Sequence, residues 1–67
     1  MMSLFLPTSW VFVWFEDGHV KNVANSDTLT AGEAKDYKAA WEKSRGKKIV
    51  RVTLETTNRN ILKSFTY

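Results

Sequence analysis

The patterned part of the chain opens with an unbroken apolar run, Trp10-Val11-Phe12-Val13-Trp14-Phe15, which ends at Glu16-Asp17-Gly18. Successive side chains of a strand point to opposite faces. Trp10, Phe12 and Trp14 therefore share one face, and Val11, Val13 and Phe15 share the other. Asp17-Gly18 suits a two-residue type I′ turn, in which both positions need positive φ, and this predicts a β-hairpin over 10–25. The register of that turn sets Glu16 opposite His19, Phe15 opposite Val20, Trp14 opposite Lys21, Phe12 opposite Val23 and Val11 opposite Ala24. One face then carries Trp10, Phe12, Trp14, Lys21 and Val23. The other carries Val11, Val13, Phe15, Val20, Asn22 and Ala24.

The pattern changes period after Thr30. Glu33 follows Thr30 by three residues, the spacing of a capping box, and predicts a helix over 30–45. Glu33 and Asp36 come early and Lys43 and Arg45 late, as the helix dipole favours. Gly46 is placed to close the helix. The apolar stripe is narrow: Ala34, Tyr37, Trp41 and Ser44, with Ala40 at its edge. Over 48–67, Val50, Val52 and Leu54 alternate with Arg51, Thr53 and Glu55, which predicts a second hairpin. With Asn58-Arg59 as its turn, Val52 faces Phe65, Val50 faces Tyr67, and Ile61 falls on that same apolar face.

The order β-β-α-β-β predicts a small α+β domain, one antiparallel sheet with a helix packed across one face. Residues 1–8 are an apolar N-terminal tail. The helix covers only one face of the first strand. The smaller set, Val11, Val13 and Phe15, is the one expected beneath it, against Ala34, Tyr37, Trp41, Val50, Val52 and Phe65. Three covers then compete for the other face: the tail with Met1, Met2, Leu4, Phe5 and Leu6, a second copy of the chain, or another macromolecule.

Composition narrows the picture. Sixty-seven residues make one domain, and a chain this short buries only about 60% of its unfolded surface. It has no cysteine to staple it, but three Trp, four Phe and two Tyr supply large buried area. Absence of cysteine fits a reducing compartment. The start lacks a basic, signal-like region, and no run approaches the roughly 20 apolar residues of a membrane span. The expectation is a complete, cytoplasmic gene product. Charge is uneven. Residues 1–36 hold Lys21 and Lys35 against five acids, a net of −3, whereas residues 37–67 hold eight Lys and Arg against Glu42 and Glu55, a net of +6.

Enzyme chemistry finds little footing. Glu16, Asp17 and His19 gather at a hairpin tip, which reads as a solvated turn, since a zinc site takes three or four protein ligands. Ser9 and Ser44 have no partnered base in view, and Tyr37 with Trp41 reads as core rather than as a ligand clamp. No metal or cofactor is expected, and the chain is expected not to be an enzyme. Two features remain. The row Trp10, Phe12 and Trp14, rimmed by Arg51 and Arg59, has the residue types of protein interface anchors. The cations Lys43, Arg45, Lys47, Lys48 and Arg51 would form a basic edge able to attract phosphates, although no recognised nucleic-acid motif accompanies them. The leading expectation is a non-enzymatic interaction protein that binds, and inhibits or modulates, a protein partner, in the manner of small phage or mobile-element regulators. The alternative is a nucleic-acid-binding protein that uses the basic edge and exposed rings.

Overall fold

The structure, a computed structural model, describes residues 9–67; the apolar tail lies outside the described residues. Four strands and one helix follow in the order β1 (Ser9–Phe15), β2 (Val20–Asn25), α1 (Ala31–Arg45), β3 (Ile49–Thr56) and β4 (Ile61–Thr66). They form one antiparallel sheet in the spatial order β2-β1-β3-β4 with the helix between β2 and β3 in sequence. This is the expected small α+β domain. The doubly apolar run becomes an inner strand, where both neighbours supply backbone partners, while the more polar β2 and β4 take the edges.

The face of Val11, Val13 and Phe15 is the core face. These three join Leu29, Ala34, Ile49, Val52 and Leu54 in one buried cluster, with Val23, Ala24, Tyr37, Trp41 and Phe65 packed around it. The helix begins as expected. Thr30 Oγ1 accepts from Glu33 N–H at 3.1 Å, and Glu33 Oε1 accepts from Thr30 N–H at 2.8 Å. It ends at Gly46, whose φ of 66° is the left-handed conformation that glycine adopts without penalty. Its buried stripe is narrower than expected, because Ser44 and Ala40 are exposed. Val50 is only half-buried, and Ile49 takes the core position instead. The cause is a bulge: Trp14 pairs with Arg51 and Phe15 pairs with Ile49, so Val50 is the extra residue.

Both hairpin turns differ from expectation in the same way. Phe15 N–H donates to His19 O and Gly18 N–H to Phe15 O; likewise Thr56 N–H donates to Asn60 O and Arg59 N–H to Thr56 O. Each loop therefore has three residues, 16–18 and 57–59, and ends on a left-handed residue, Gly18 (φ 95°) or Arg59 (φ 68°). The extra loop residue slips each register by one near the turn. His19 thus sits opposite Phe15, not Glu16. Val20 pairs with Trp14, Lys21 with Val13 and Asn22 with Phe12. A bulge at Val23 then restores the expected pairing of Val11 with Ala24. As a result Lys21 and Val23 lie on the helix face, and Val20 and Asn22 on the open one. In the second hairpin the expected pairing of Val52 with Phe65 is present. A bulge at Leu62 sets Ile61 opposite Glu55, on the open face rather than the core face.

Arg59 is the one non-glycine residue with positive φ among those described. A left-handed conformation costs an L-residue with a Cβ roughly 1–2 kcal/mol. Arg59→Gly should therefore raise stability by about 1 kcal/mol, read as a shift of the denaturant midpoint with unchanged slope.

Candidate functional site: the open face of the sheet

Three rings run along the face of β1 opposite the helix, which no other described element covers. Trp10, Phe12 and Trp14 are each half-buried, and they pair across to Glu55, Thr53 and Arg51 of β3 respectively. The alternation that sends Val11 and Val13 under the helix necessarily sends these three the other way.

A polar chain runs beside the rings. Trp14 Nε1–H donates to Thr53 Oγ1 at 2.9 Å, and the Thr53 hydroxyl donates to Glu55 Oε2 at 2.9 Å. Thr53 and Glu55 are both buried, so the chain satisfies groups that would otherwise be costly to bury. Arg51 lies over the Trp14 ring, 5.0 Å from its centre, and its Nε donates to Ser64 Oγ at 2.9 Å. Among the described residues its terminal nitrogens make no further hydrogen bond. A guanidinium offers five N–H donors, so Arg51 retains unused donor capacity.

The structure thus brings together four of the five residues expected to bind a partner: Trp10, Phe12, Trp14 and Arg51. Arg59 stands apart in the β3–β4 loop, next to the Trp10 end of the sheet and away from Arg51. Trp14 also has a structural role, because its N–H holds the buried Thr53. Thr53 and Glu55 belong to the site but escape sequence reading. On an alternating strand they read as solvated polar positions, and nothing in the local pattern signals their burial.

The basic edge does not form as expected. Arg51 is on the open face, while Arg45 and Lys47 are on the helix side. Arg45 lies 5.8 Å from the centre of the Trp41 ring, and Lys47 Nζ is 2.8 Å from Asp17 Oδ2. Lys43 and Lys48 are exposed. The β3 pleat separates these charges, since Arg51 must point opposite to the core residue Val52. Asp17 is held well below the usual carboxylate range, first by the hydrogen bond from Lys47 and then by the His19 backbone N–H. His19 Nδ1 is 3.4 Å from the same carboxylate. Among the described residues, no group of three or more His, Cys, Asp or Glu is placed to hold a metal ion, and no helix is long and apolar enough to cross a membrane.

The same end of the helix carries a second structural carboxylate. Glu42 accepts from Ile49 N–H at 2.8 Å and lies 3.2 Å from Lys38 Nζ. The Ile49 hydrogen bond is the main cause that lowers its pKa from the ordinary 4.5. A carboxylate whose folded pKa is depressed stabilises the fold fully above its unfolded value and loses that contribution as pH falls through the folded one. Thermal stability should therefore decline from about pH 4.5 downward. Glu42→Gln should flatten that decline, which a series of melting curves across the acid range would reveal.

Comparison with protein-family models, with curated proteins and with solved structures gave no match. The functional reading therefore rests on the geometry of the chain itself.

Proposed function

We propose that the protein is a non-enzymatic interaction module that binds a protein partner through the open face of its sheet and acts by occupying that partner. The observation that carries the reading is the row Trp10-Phe12-Trp14, left half-exposed on the face opposite the helix. Aromatic and Arg side chains at the centre of a patch are the usual anchors of protein interfaces. The partner of this reading presents apolar side chains to the rings and a carboxylate to Arg51, which still has donors for the bidentate geometry that carboxylates accept. Charge favours a protein over a nucleic acid here. The described part of this face carries Arg51, already stacked on Trp14, and the Glu55 carboxylate, which accepts from Thr53 on the strand beside the rings. Base-stacking sheets work beside positive grooves, and one cation next to one carboxylate is a poor match to a phosphate backbone. The cytoplasm is the compartment this reading assigns, on the cysteine-free composition.

The test is capture from a lysate of the native host, with and without nuclease, by three immobilised forms: wild type, Phe12→Ala, and Ala39→Glu on the outer face of the helix. A protein held by wild type and Ala39→Glu but lost with Phe12→Ala is the expected result. Removal of an anchor should weaken binding by about 2 kcal/mol or more. Capture that disappears with nuclease, or persists with Phe12→Ala, contradicts the proposal. So does a concentration-dependent dimer that Phe12→Ala dissolves, which would make a second copy the occupant.

A further inference from the structure

A separate cleft of about 220 Å³ lies where the first hairpin's tip meets the end of the helix. We propose that it is a binding site for a compact oxyanion of the phosphate class. Its apolar part is Phe15 and Val20, and its polar lining is His19, Lys21, Arg45 and Lys47. These cations come from different elements: Lys21 from β2, Arg45 from the last turn of α1, and Lys47 from the turn before β3. Their convergence is a product of the fold, and above all of the three-residue loop that moves Lys21 to the helix side.

Each head group is held in place. Lys21 Nζ and Arg45 stack on the same ring, 5.3 and 5.8 Å from the centre of Trp41. Lys47 Nζ is fixed by Asp17 at 2.8 Å, and Asp17 also accepts from the His19 backbone N–H at 3.0 Å. Three permanent cations thus meet one carboxylate. The C-terminal end of the helix offers only about half an elementary negative charge, which leaves a positive excess. A small, open site with such an excess attracts an anion. The volume lies below the roughly 300–1,000 Å³ of pockets for organic ligands, so the site suits one phosphoryl group rather than a whole nucleotide. Lys and Arg donors would bind its oxygens with charge-assisted hydrogen bonds. The inference does not rest on the ring row: Val20, which pairs with Trp14, borders both, and the cations of the cleft lie on the helix side.

The experiment is an NMR titration of the isotope-labelled full chain with inorganic phosphate, at ionic strength held constant with sodium chloride. Saturable shifts confined to the His19, Lys21, Arg45 and Lys47 amides and the Trp41 indole are expected. Lys21→Gln and Arg45→Gln should each weaken binding about tenfold while the spectrum keeps its dispersion, and Lys43→Gln, outside the cleft, should leave binding unchanged. A parallel titration with a short single-stranded oligonucleotide distinguishes the source of the phosphate. Tighter binding through the same residues identifies a nucleic-acid backbone, and indifference to the oligonucleotide identifies free phosphate. Shifts no larger than those of chloride, or spread over Lys35, Lys43 and Lys63, would overturn the proposal.

Discussion

Phe15→Ala should cost about 3–5 kcal/mol, the usual result of removing a large buried ring, and leave a chain largely unfolded at room temperature. Phe15 is only 5% exposed and closes the hairpin end of the core opposite Ile49. A domain of this length holds in total roughly 3–10 kcal/mol, so the loss approaches its whole stability. Phe12→Ala removes the same side chain three residues away, but from the half-exposed open face. It should cost distinctly less, about 1–2 kcal/mol, and leave the domain folded. Denaturant unfolding of both variants checks the pair. Equal losses would mean that the two faces of β1 are equally buried, and the ring row would then be core.

Leu29→Ala should cost about 2–5 kcal/mol, although Leu29 belongs to no strand or helix. It is 1% exposed and packs in the cluster with Ala34. Leu29 precedes the N-cap Thr30, and Ala34 is the fourth helical residue, so the two form the hydrophobic staple that fixes how the chain enters the helix. The variant should lower the melting temperature far more than Thr30→Ala, where one cap is lost at about 1 kcal/mol. A Leu29→Ala protein as stable as the parent would show that the helix is positioned by Tyr37 and Trp41 alone.

Much of this architecture is legible along the chain, for local reasons. The capping box and the glycine closure are each decided within a few residues, and the structure has both where the pattern places them; the alternation of β3 holds at Val52 and Leu54 and breaks at Val50. The choice of core face was legible as well, because Val11 and Val13 let a helix approach more closely than two Trp rings do. What escaped was registration. Asp17-Gly18 fits a two-residue turn and also the end of a three-residue one, and nothing local decides between them. That single residue moved Lys21 from the ring face to the helix face and made the cleft at Trp41. The bulges at Val23, Val50 and Leu62 were invisible for a related reason, since they reconcile strands whose turns and core positions disagree by one. Leu29, by contrast, had a signal: an apolar residue just before Thr30-x-x-Glu33 is the staple pattern.

The strand order explains why the first run is apolar on both sides. As an inner strand, β1 is flanked by β2 and β3, so its rings rest against Thr53 and Glu55 on one side and Val20 and Asn22 on the other. Part of their surface is thereby buried within the domain, and the remainder forms the patch assigned to a partner.

Whether the ring row docks a protein is decided by photo-crosslinking in the native host. A benzophenone amino acid replaces Phe12 in one full-length chain and Ala39 in another, and both are irradiated in living cells. The expected result is a discrete heavier adduct with a second, different protein, formed from position 12, resistant to nuclease and absent from position 39. An adduct of two copies of the chain, an adduct with nucleic acid, or equal adducts from both positions would contradict it.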